Sequence, residues 1–214
     1  MLSVIFDMDG TLLDTQRICV TAWEYAGRNQ GVSGMGKYVQ YACGMNKEGC
    51  DRYVCENFPE LDYKRFRKEE LEYVKKNTVV RYKKGAIEML KFLKQNGIKT
   101  AVASGTAKQK IIKNFEIVGG MEYFDALVGG DEVQNCKPAP DIFLCAAQKL
   151  GTAPEDCVVI EDSLNGVKAA EAAGMKCILI PDISELKPEE KLSLLAETKD
   201  FIEAIEIIKN TYNI

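Results

Sequence analysis

Two aspartates stand two residues apart near the start of the chain, within the segment VIFDMDGT at residues 4–11. The apolar run before Asp7 is typical of a buried strand, and Gly10 allows the chain to turn sharply after it. Asp7 and Asp9 are therefore predicted at the carboxyl end of a strand, where open α/β sheets place their active sites. Two acids so close repel each other unless a divalent cation or a retained proton relieves the repulsion. Taken alone, the segment also fits an ordinary turn, whereas a calcium loop would need later acids that are absent.

Three later segments carry polar groups that can handle an anion or a cation. Ser104 and Gly105 follow an apolar run at the start of a predicted helix, where a hydroxyl and free backbone amides bind anions. Lys137 lies in a proline-stiffened loop, and Glu161 and Asp162 follow another apolar run, where they suit a hard cation. Each segment has a plainer interpretation on its own: a helix cap, a solvated lysine and a helix start favoured by negative charge.

The combination of these segments is more specific than any one of them. Each polar group follows a strand or the loop after it, and the carboxyl ends of parallel strands share one edge of a sheet. The set then supplies a nucleophile, a cation site and groups that hold an anion. This is the equipment for phosphoryl transfer.

The composition limits the kinds of partner. The 214 residues are 46% hydrophobic and 28% charged, with a formal net charge of −4, which is ordinary for a globular protein with a full core. The acidic balance argues against nucleic acid or an anionic membrane as the main partner. No apolar run is long enough to cross a bilayer and no leader pattern is present, so a cytoplasmic protein is predicted.

The chain contains no histidine and eight cysteines, none of them in a Cys-Xaa-Xaa-Cys pair. A zinc finger is therefore excluded, and so is any mechanism that depends on a catalytic histidine. Proton transfer must come from carboxylates, lysine or tyrosine. Several cysteines lie inside apolar runs and are predicted to be free thiols in a reducing compartment.

Alternating apolar runs and helical patterns place these residues. Five strands are predicted at residues 2–6, 99–103, 126–128, 158–161 and 176–180, with helices at 86–96, 107–118, 141–150 and 166–173. This alternation predicts an α/β fold with a doubly wound parallel sheet. The last stretch, residues 188–214, is predicted to be a loop and a terminal helix.

The segment at residues 15–82 interrupts the alternation. It has helical spacing at residues 18–30, 47–57 and 63–76, and it is too long for an ordinary crossover. We predict a core domain of residues 1–14 and 83–214 and a helical cap domain of residues 15–82. Because the chain leaves the sheet for the cap, and returns from it, at the carboxyl ends of the strands, the cap is expected to cover the candidate site.

The chain resembles the haloacid dehalogenase superfamily, in its subgroup of phosphatases and beta-phosphoglucomutase-like enzymes with a helical cap. The four motifs of that superfamily match DMDGT at residues 7–11, Ser104, Lys137 and the pair Glu161-Asp162. The resemblance covers nearly the full length of the chain. It implies a Rossmann-like core and Mg²⁺-dependent chemistry on phosphate esters.

The resemblance also implies roles for the acids. Asp7 would attack phosphorus to form an aspartyl-phosphate, and Asp9 would protonate the leaving oxygen and later deprotonate water. Mg²⁺ would be bound by Asp7, the backbone carbonyl of Asp9 and Asp162, with Glu161 close by. An acid at position 9 favours phosphate chemistry over carbon–halogen chemistry, because an alkoxide leaving group needs a proton.

The remaining motif residues would hold the phosphoryl group. Ser104 and Lys137 would bind its oxygens, and Lys137 would also neutralise charge as the nucleophile attacks. Thr11 and the backbone amide of Gly105 are predicted to assist.

The cap is expected to choose the substrate. Lys47 falls where mutases of this family carry a basic residue for a second phosphate, so it is a candidate substrate ligand. Cys19 and Cys43 stand where those mutases have a histidine and a lysine. The sequence therefore favours a phosphatase acting on a small phosphorylated metabolite such as a sugar phosphate, with a beta-phosphoglucomutase-type enzyme as the alternative. A monomer or weak dimer is expected.

An alternative of another class is a phospho-accepting signalling domain without turnover. Such receiver domains also gather acids, a hydroxyl and a lysine around Mg²⁺ on a parallel sheet. The Asp-Gly-Thr segment after the first strand and the large insert both count against this interpretation.

Overall fold

A six-stranded parallel sheet forms the centre of the protein. The computed structural model describes residues 2–184, 186–191 and 194–214. Within these residues the strand order is β3-β2-β1-β4-β5-β6, and every neighbouring pair is parallel. The strands are β1 (Ser3–Phe6), β2 (Lys99–Ser104), β3 (Ala126–Gly129), β4 (Cys157–Glu161), β5 (Lys176–Leu179) and β6 (Leu194–Glu197).

The same described residues contain nine α-helices, none of them long and apolar enough to cross a membrane. They are α1 (Arg17–Arg28), α2 (Val39–Ala42), α3 (Lys47–Asn57), α4 (Tyr63–Asn77), α5 (Ala86–Gln95), α6 (Lys108–Val118), α7 (Asp141–Leu150), α8 (Leu164–Ala172) and α9 (Phe201–Tyr212).

Both faces of the sheet are covered by helices, which explains why its central strands are mostly apolar. Successive side chains of β1 alternate between two cores: Val4 and Phe6 pack with α5, α6 and α9, whereas Ile5 packs with α7 and α8. All three side chains are fully buried. The predicted doubly wound α/β fold is confirmed.

The predicted strands and core helices are found within two residues of their expected ends, but the prediction for the C-terminal stretch was incomplete. Residues 194–197 form β6, which had been predicted as loop, and residues 192 and 193 lie outside the described residues. Leucine, alanine and glutamate favour helix, so the local pattern gave no strand signal. Pairing with β5 determines the strand: Cys177 aligns with Leu194, and the Thr198 amide donates to the Leu179 carbonyl over 2.9 Å.

The four helices between β1 and α5 have a hydrophobic cluster of their own. Trp23 on α1 and Phe66 on α4 meet edge to face with ring centroids 5.8 Å apart, and both are nearly inaccessible to solvent. The two chain segments that connect these helices to the sheet are paired, since the Asp14 amide donates to the Arg81 carbonyl over 2.9 Å. The boundaries at residues 15 and 82 stay a prediction, which this separate cluster supports.

Candidate active site

The turn after β1 places the first two acids. The backbone amide of Asp7 donates to the carbonyl of Ile160 over 3.0 Å, so Asp7 extends the pairing of β1 with β4. Gly10 then adopts a φ of +87°, a left-handed conformation that most residues avoid, and the chain turns back across the sheet edge. Asp7 is 3% exposed, whereas Asp9 is partly exposed.

Lys137 lies between two buried carboxylates. Its Nζ donates to Asp7 Oδ1 over 2.7 Å and to Glu161 Oε1 over 2.5 Å. Burial, together with the negative charges of Glu161 and Asp9, raises the pKa of Asp7 to about 8 against the opposing effect of Lys137. Burial acts against the ammonium group, but Asp7 and Glu161 raise the pKa of Lys137 and keep it charged. The lysine therefore fixes a positive charge beside the predicted nucleophile.

Glu161 is held from its other side by the start of α8. Its Oε2 accepts from the backbone amides of Asp162 and Ser163 over 2.8 and 2.9 Å, and from Ser163 Oγ over 3.0 Å. A side chain at Gly166 would overlap the Glu161 carboxylate, so this glycine makes room for it. Four protein donors, with Lys137 as one of them, therefore fix the position of the Glu161 carboxylate.

Asp162 has a free oxygen. Thr11 Oγ1 donates to its Oδ1 over 2.9 Å, while Oδ2 is buried and has no hydrogen-bond partner. Carboxylate oxygens of Asp7, Glu161 and Asp162 lie within 4.8 Å of one another. An unsatisfied buried carboxylate oxygen is costly, and a set of hard oxygen donors fits Mg²⁺. Burial and the nearby acids Glu161 and Asp7 raise the pKa of Asp162, a repulsion that a cation would relieve.

Asp9 has hydroxyl partners instead of a lysine. Its Oδ1 accepts from Thr15 Oγ1, and its Oδ2 accepts from Thr106 Oγ1 over 2.7 Å and from Ser104 Oγ over 3.3 Å. Thr15 lies just before α1, in the segment that connects the sheet to the cap helices. This connecting segment therefore contacts the predicted acid. Ser104 also accepts from the Thr106 amide over 3.1 Å, which keeps its hydroxyl at the edge of the sheet.

A cavity of about 640 Å³ opens above these residues, between the sheet and the helices of residues 15–82. Asp7, Asp9, Ser104 and Gly105 line it from the sheet, and Trp23 lines it from the helices. A side chain at Gly105 would collide with the backbone carbonyl oxygen of Met45. The glycine thus permits the loop after α2 to lie directly on the motif after β2.

Lys47 does not line this cavity. It lines a second one of about 830 Å³, and its side chain is 67% exposed. Its Nζ donates to Asp51 Oδ2 over 2.7 Å, a partner one turn further along α3. The structure therefore brings together eight of the nine predicted site residues and leaves Lys47 apart.

Several residues of the site were absent from the predicted set. Thr15 and Thr106 hold Asp9, and hydroxyls beside the motifs could have suggested them. Arg67 and Glu70 line the cavity from α4, but arginine and glutamate in a highly charged helix usually indicate a solvated face. Asn165 Nδ2 donates to the carbonyls of residues 41 and 43 over 3.0 and 2.9 Å, and no local pattern predicts this contact.

The fold and the site together define a class of protein. Acids, a lysine and hydroxyls converge at the carboxyl edge of a parallel sheet, and a helical insert covers them. This arrangement is that of an α/β enzyme of phosphoryl transfer. The chain matches the family of haloacid dehalogenase-like hydrolases over residues 4–180, and it belongs to that family.

Similar proteins agree with this assignment. A phosphorylated carbohydrates phosphatase of Thermotoga maritima is 31% identical over 220 residues, covering 92% of this chain and 99% of that protein. The crystal structure of CbbY from Rhodobacter sphaeroides in complex with phosphate superposes with a TM-score of 0.75 at 26% identity, covering 95% and 96% of the two chains. The chloroplastic protein Suppressor of Quenching 1 of Arabidopsis thaliana is 35% identical, but the chain spans 18% of its length. The predicted family and the prediction of an enzyme are confirmed.

Proposed function

We propose that the protein is a Mg²⁺-dependent phosphatase of a small phosphorylated metabolite, a sugar phosphate, and that it works through an aspartyl-phosphate on Asp7. The observation that carries the proposal is the buried contact of 2.7 Å between Lys137 and Asp7, the latter of which lines the floor of the cavity. A lysine so placed holds a carboxylate oxygen and offers positive charge to an incoming phosphoryl group. The similarity to a phosphatase of phosphorylated carbohydrates supports the substrate class.

Two carboxylates divide the chemistry. An Asp7 oxygen attacks phosphorus, the bond from phosphorus to the ester oxygen breaks, and protonated Asp9 gives its proton to that oxygen. Asp9 then takes a proton from water as the water oxygen attacks the aspartyl-phosphate. Phosphate leaves and Asp7 is restored. The hydroxyls of Thr15, Thr106 and Ser104 orient Asp9 for both transfers.

The residues around Asp162 fit a magnesium ion. Asp7, Asp162 and the backbone carbonyl of Asp9 would hold it, with the unpartnered Asp162 Oδ2 as the donor that most needs a cation. When bound, Mg²⁺ neutralises phosphoryl oxygens and so lowers their repulsion of the Asp7 carboxylate. Glu161 would remain near it as the anchor of Lys137.

The phosphoryl oxygens would meet donors from three segments. Ser104 and Gly105 line the cavity, and the Gly105 amide precedes α6. Lys137 Nζ lies behind Asp7, to which it donates. Thr11 acts through Asp162, to which it already donates. All these donors are on the sheet side, so the phosphate end of a substrate is expected at the bottom of the cavity.

Hydrolysis is favoured over the mutase alternative by the position of Lys47. A mutase must hold a second phosphate, but Lys47 lines the other cavity and pairs with Asp51. Cys19, at the position where the mutases of this family carry a histidine, lines the catalytic cavity with a thiol whose pKa burial raises to about 12. Water is then the acceptor that this site supports best.

A phosphate-release screen tests the proposal. Purified protein with Mg²⁺ is offered p-nitrophenyl phosphate, sugar monophosphates, phosphoglycolate, nucleotides and beta-glucose 1-phosphate, with the Asp7→Asn variant as the matched control. Multiple turnovers that the variant lacks would support the phosphatase. Conversion of beta-glucose 1-phosphate to glucose 6-phosphate without phosphate release would identify a mutase, and a single phosphorylation without turnover would identify a signalling domain.

We also propose that the protein works in a reducing cytoplasm as a monomer or weak dimer. All eight cysteines are free thiols in the structure, and three of them are buried. Free buried thiols persist best where disulfides are kept reduced. Light scattering across a range of protein concentrations measures the oligomeric state.

A further inference from the structure

An arginine and a glutamate on α4 face the catalytic cavity from above. Arg67 Nη1 donates to Glu70 Oε2 over 2.5 Å, and Arg67 Nε lies 3.4 Å from Asp51 Oδ1. Both Arg67 and Glu70 line the cavity whose floor carries Asp7. The pair therefore belongs to the part of the site that would meet the substrate's leaving group.

The pair is too buried to be a solvated helix face. Glu70 is 5% exposed, and only 19% of the Arg67 side chain is accessible. Burial raises the pKa of Glu70 even though Arg67 opposes that effect. Buried ion pairs contribute little net stability because desolvation offsets their attraction, so their presence beside a cavity points to binding.

The charges around the Arg67–Glu70 pair are balanced. Two cations, Lys47 and Arg67, are matched by two carboxylates, Asp51 and Glu70, which are connected through contacts of 2.5 to 3.4 Å. Their formal charges cancel, so the cluster itself carries no surplus positive charge. Lys75 and Lys110 also line the cavity but do not belong to this cluster.

The pair does suit a hydroxyl group. Among the hydrogen bonds of the described residues, Arg67 Nη2 and Glu70 Oε1 have no protein partner, so a donor and an acceptor remain side by side. A hydroxyl both donates and accepts, and neighbouring hydroxyls can satisfy both groups. Trp23 and Val74 line the same cavity and offer apolar surface to the C–H groups of a carbon chain or ring.

We propose that Arg67 and Glu70 are specificity-determining residues that bind adjacent hydroxyl groups at the uncharged end of a phosphorylated sugar or polyol. This inference rests on the proposed phosphatase function. It adds which end of the substrate is recognised and by which groups.

Steady-state kinetics test the pair. Glu70→Ala and Arg67→Met are compared with wild type on fructose 1-phosphate, glucose 6-phosphate, 2-deoxyglucose 6-phosphate, glycerol 1-phosphate, fructose 1,6-bisphosphate and p-nitrophenyl phosphate. The ratio of kcat/KM for the best hydroxylated monophosphate to kcat/KM for p-nitrophenyl phosphate should fall at least tenfold in each variant, mainly through KM. A site that hydrogen-bonds a hydroxyl discriminates strongly against a compound that lacks it. Glu70→Gln, which keeps an acceptor oxygen, should recover part of the loss.

The outer pair of the same helix provides the control. Arg65 Nε contacts Glu69 Oε1 over 2.8 Å on the exposed face of α4, away from the cavity. Arg65→Met and Glu69→Ala remove the same chemical groups and should leave the ratio within twofold of wild type. Melting temperatures of all variants are measured, so that a general loss of folding is recognised by an equal loss on every substrate.

The outcomes separate the two proposals. Equal losses on p-nitrophenyl phosphate and sugar phosphates would overturn the role of the pair and leave the phosphatase intact. The absence of any wild-type preference for hydroxylated monophosphates over p-nitrophenyl phosphate would also overturn it. Absence of phosphate release from every compound would instead overturn the proposed function.

Discussion

Asp7 and Asp9 are two residues apart but have different partners. Asp7 faces an ammonium group, so a fixed positive charge lies beside the predicted nucleophile. Asp9 faces hydroxyls, which can turn to donate to a carboxylate or accept from a carboxylic acid. Neighbouring carboxylates with different surroundings are the usual structural basis for separate catalytic roles.

The first prediction concerns the nucleophile. Asp7→Asn should reduce phosphate release by about a thousandfold or more, because an amide cannot attack phosphorus. The fold should persist, since asparagine has the same size as aspartate and its amide oxygen can still accept from Lys137. Phosphate release and thermal unfolding measure the two effects. Activity near the wild-type value would contradict the assignment of Asp7.

The second prediction concerns the free carboxylate oxygen of Asp162. Asp162→Asn should weaken Mg²⁺ binding about tenfold or more, and excess Mg²⁺ should restore part of the activity. Calorimetric titration with Mg²⁺ and the Mg²⁺ dependence of the melting temperature check binding independently of turnover. An unchanged dissociation constant would show that Asp162 does not bind the ion.

At the scale of secondary structure, ion pairs tie the ends of elements together. Glu132 lies in the short turn after β3 and accepts from Lys149 on α7 over 2.7 Å, from Lys108 on α6 over 3.1 Å and from the Gly129 amide over 2.9 Å. Burial would raise the pKa of this carboxyl, but these donors hold it at about 2. The turn after β3 thereby connects α6 and α7, which cover opposite faces of the sheet.

The third prediction follows from the sign of that shift. A lowered pKa means that ionised Glu132 stabilises the folded state, fully above about pH 4.5 and progressively less as pH falls toward 2. Glu132→Gln should therefore lower the free energy of unfolding by about 1–2 kcal/mol at pH 7. Urea unfolding at several pH values should show the difference shrinking between about pH 4.5 and pH 2.

Glu56→Gln, exposed on α3, is the matched control for this experiment and should change stability little at any pH. A difference for Glu132→Gln that stayed constant down to pH 2 would mean that the carboxylate charge is not the stabilising feature.

At the scale of the whole molecule, polar contacts outside the two connecting segments also hold the cap helices against the sheet. Asn165 at the start of α8 donates to two backbone carbonyls of the loop after α2. The loop also lies against Gly105, whose missing side chain allows the approach. These contacts hold the cap helices beside the cavity, and a cap held there limits the access of water to the site.

The fourth prediction tests this closure. Asn165→Ala should raise KM several-fold and increase the rate of trypsin cleavage after Arg81, because the cap would open more often and expose its connecting segment. The Arg81 side chain is 70% exposed, so accessibility of the nearby backbone decides the rate. Asn57→Ala is the control, since Asn57 Nδ2 bonds within α3 to the Tyr53 carbonyl. Equal cleavage rates in both variants would exclude Asn165 from closure.

Much of the site followed from the sequence alone. Apolar runs ending in Asp7, Ser104 and Glu161 predicted strands with polar groups at their carboxyl ends. Because parallel strands joined by helices place those ends on one edge, convergence of the site followed from strand–helix alternation. The length of the segment at residues 15–82 likewise predicted a separate set of helices.

Other features depended on contacts between distant residues, which only the tertiary structure decides. The strand β6 exists because β5 offers it an edge, and its own residues favour helix. Lys137 contacts Asp7, which lies 130 positions away in the sequence, and Asp9 accepts a hydrogen bond from Thr106, which lies 97 positions away. Lys47 faces away from the catalytic cavity while Arg67 and Glu70 face it, since packing of the cap helices determines which side of each helix is buried. Local patterns determine which residues can do chemistry, and packing determines which of them meet.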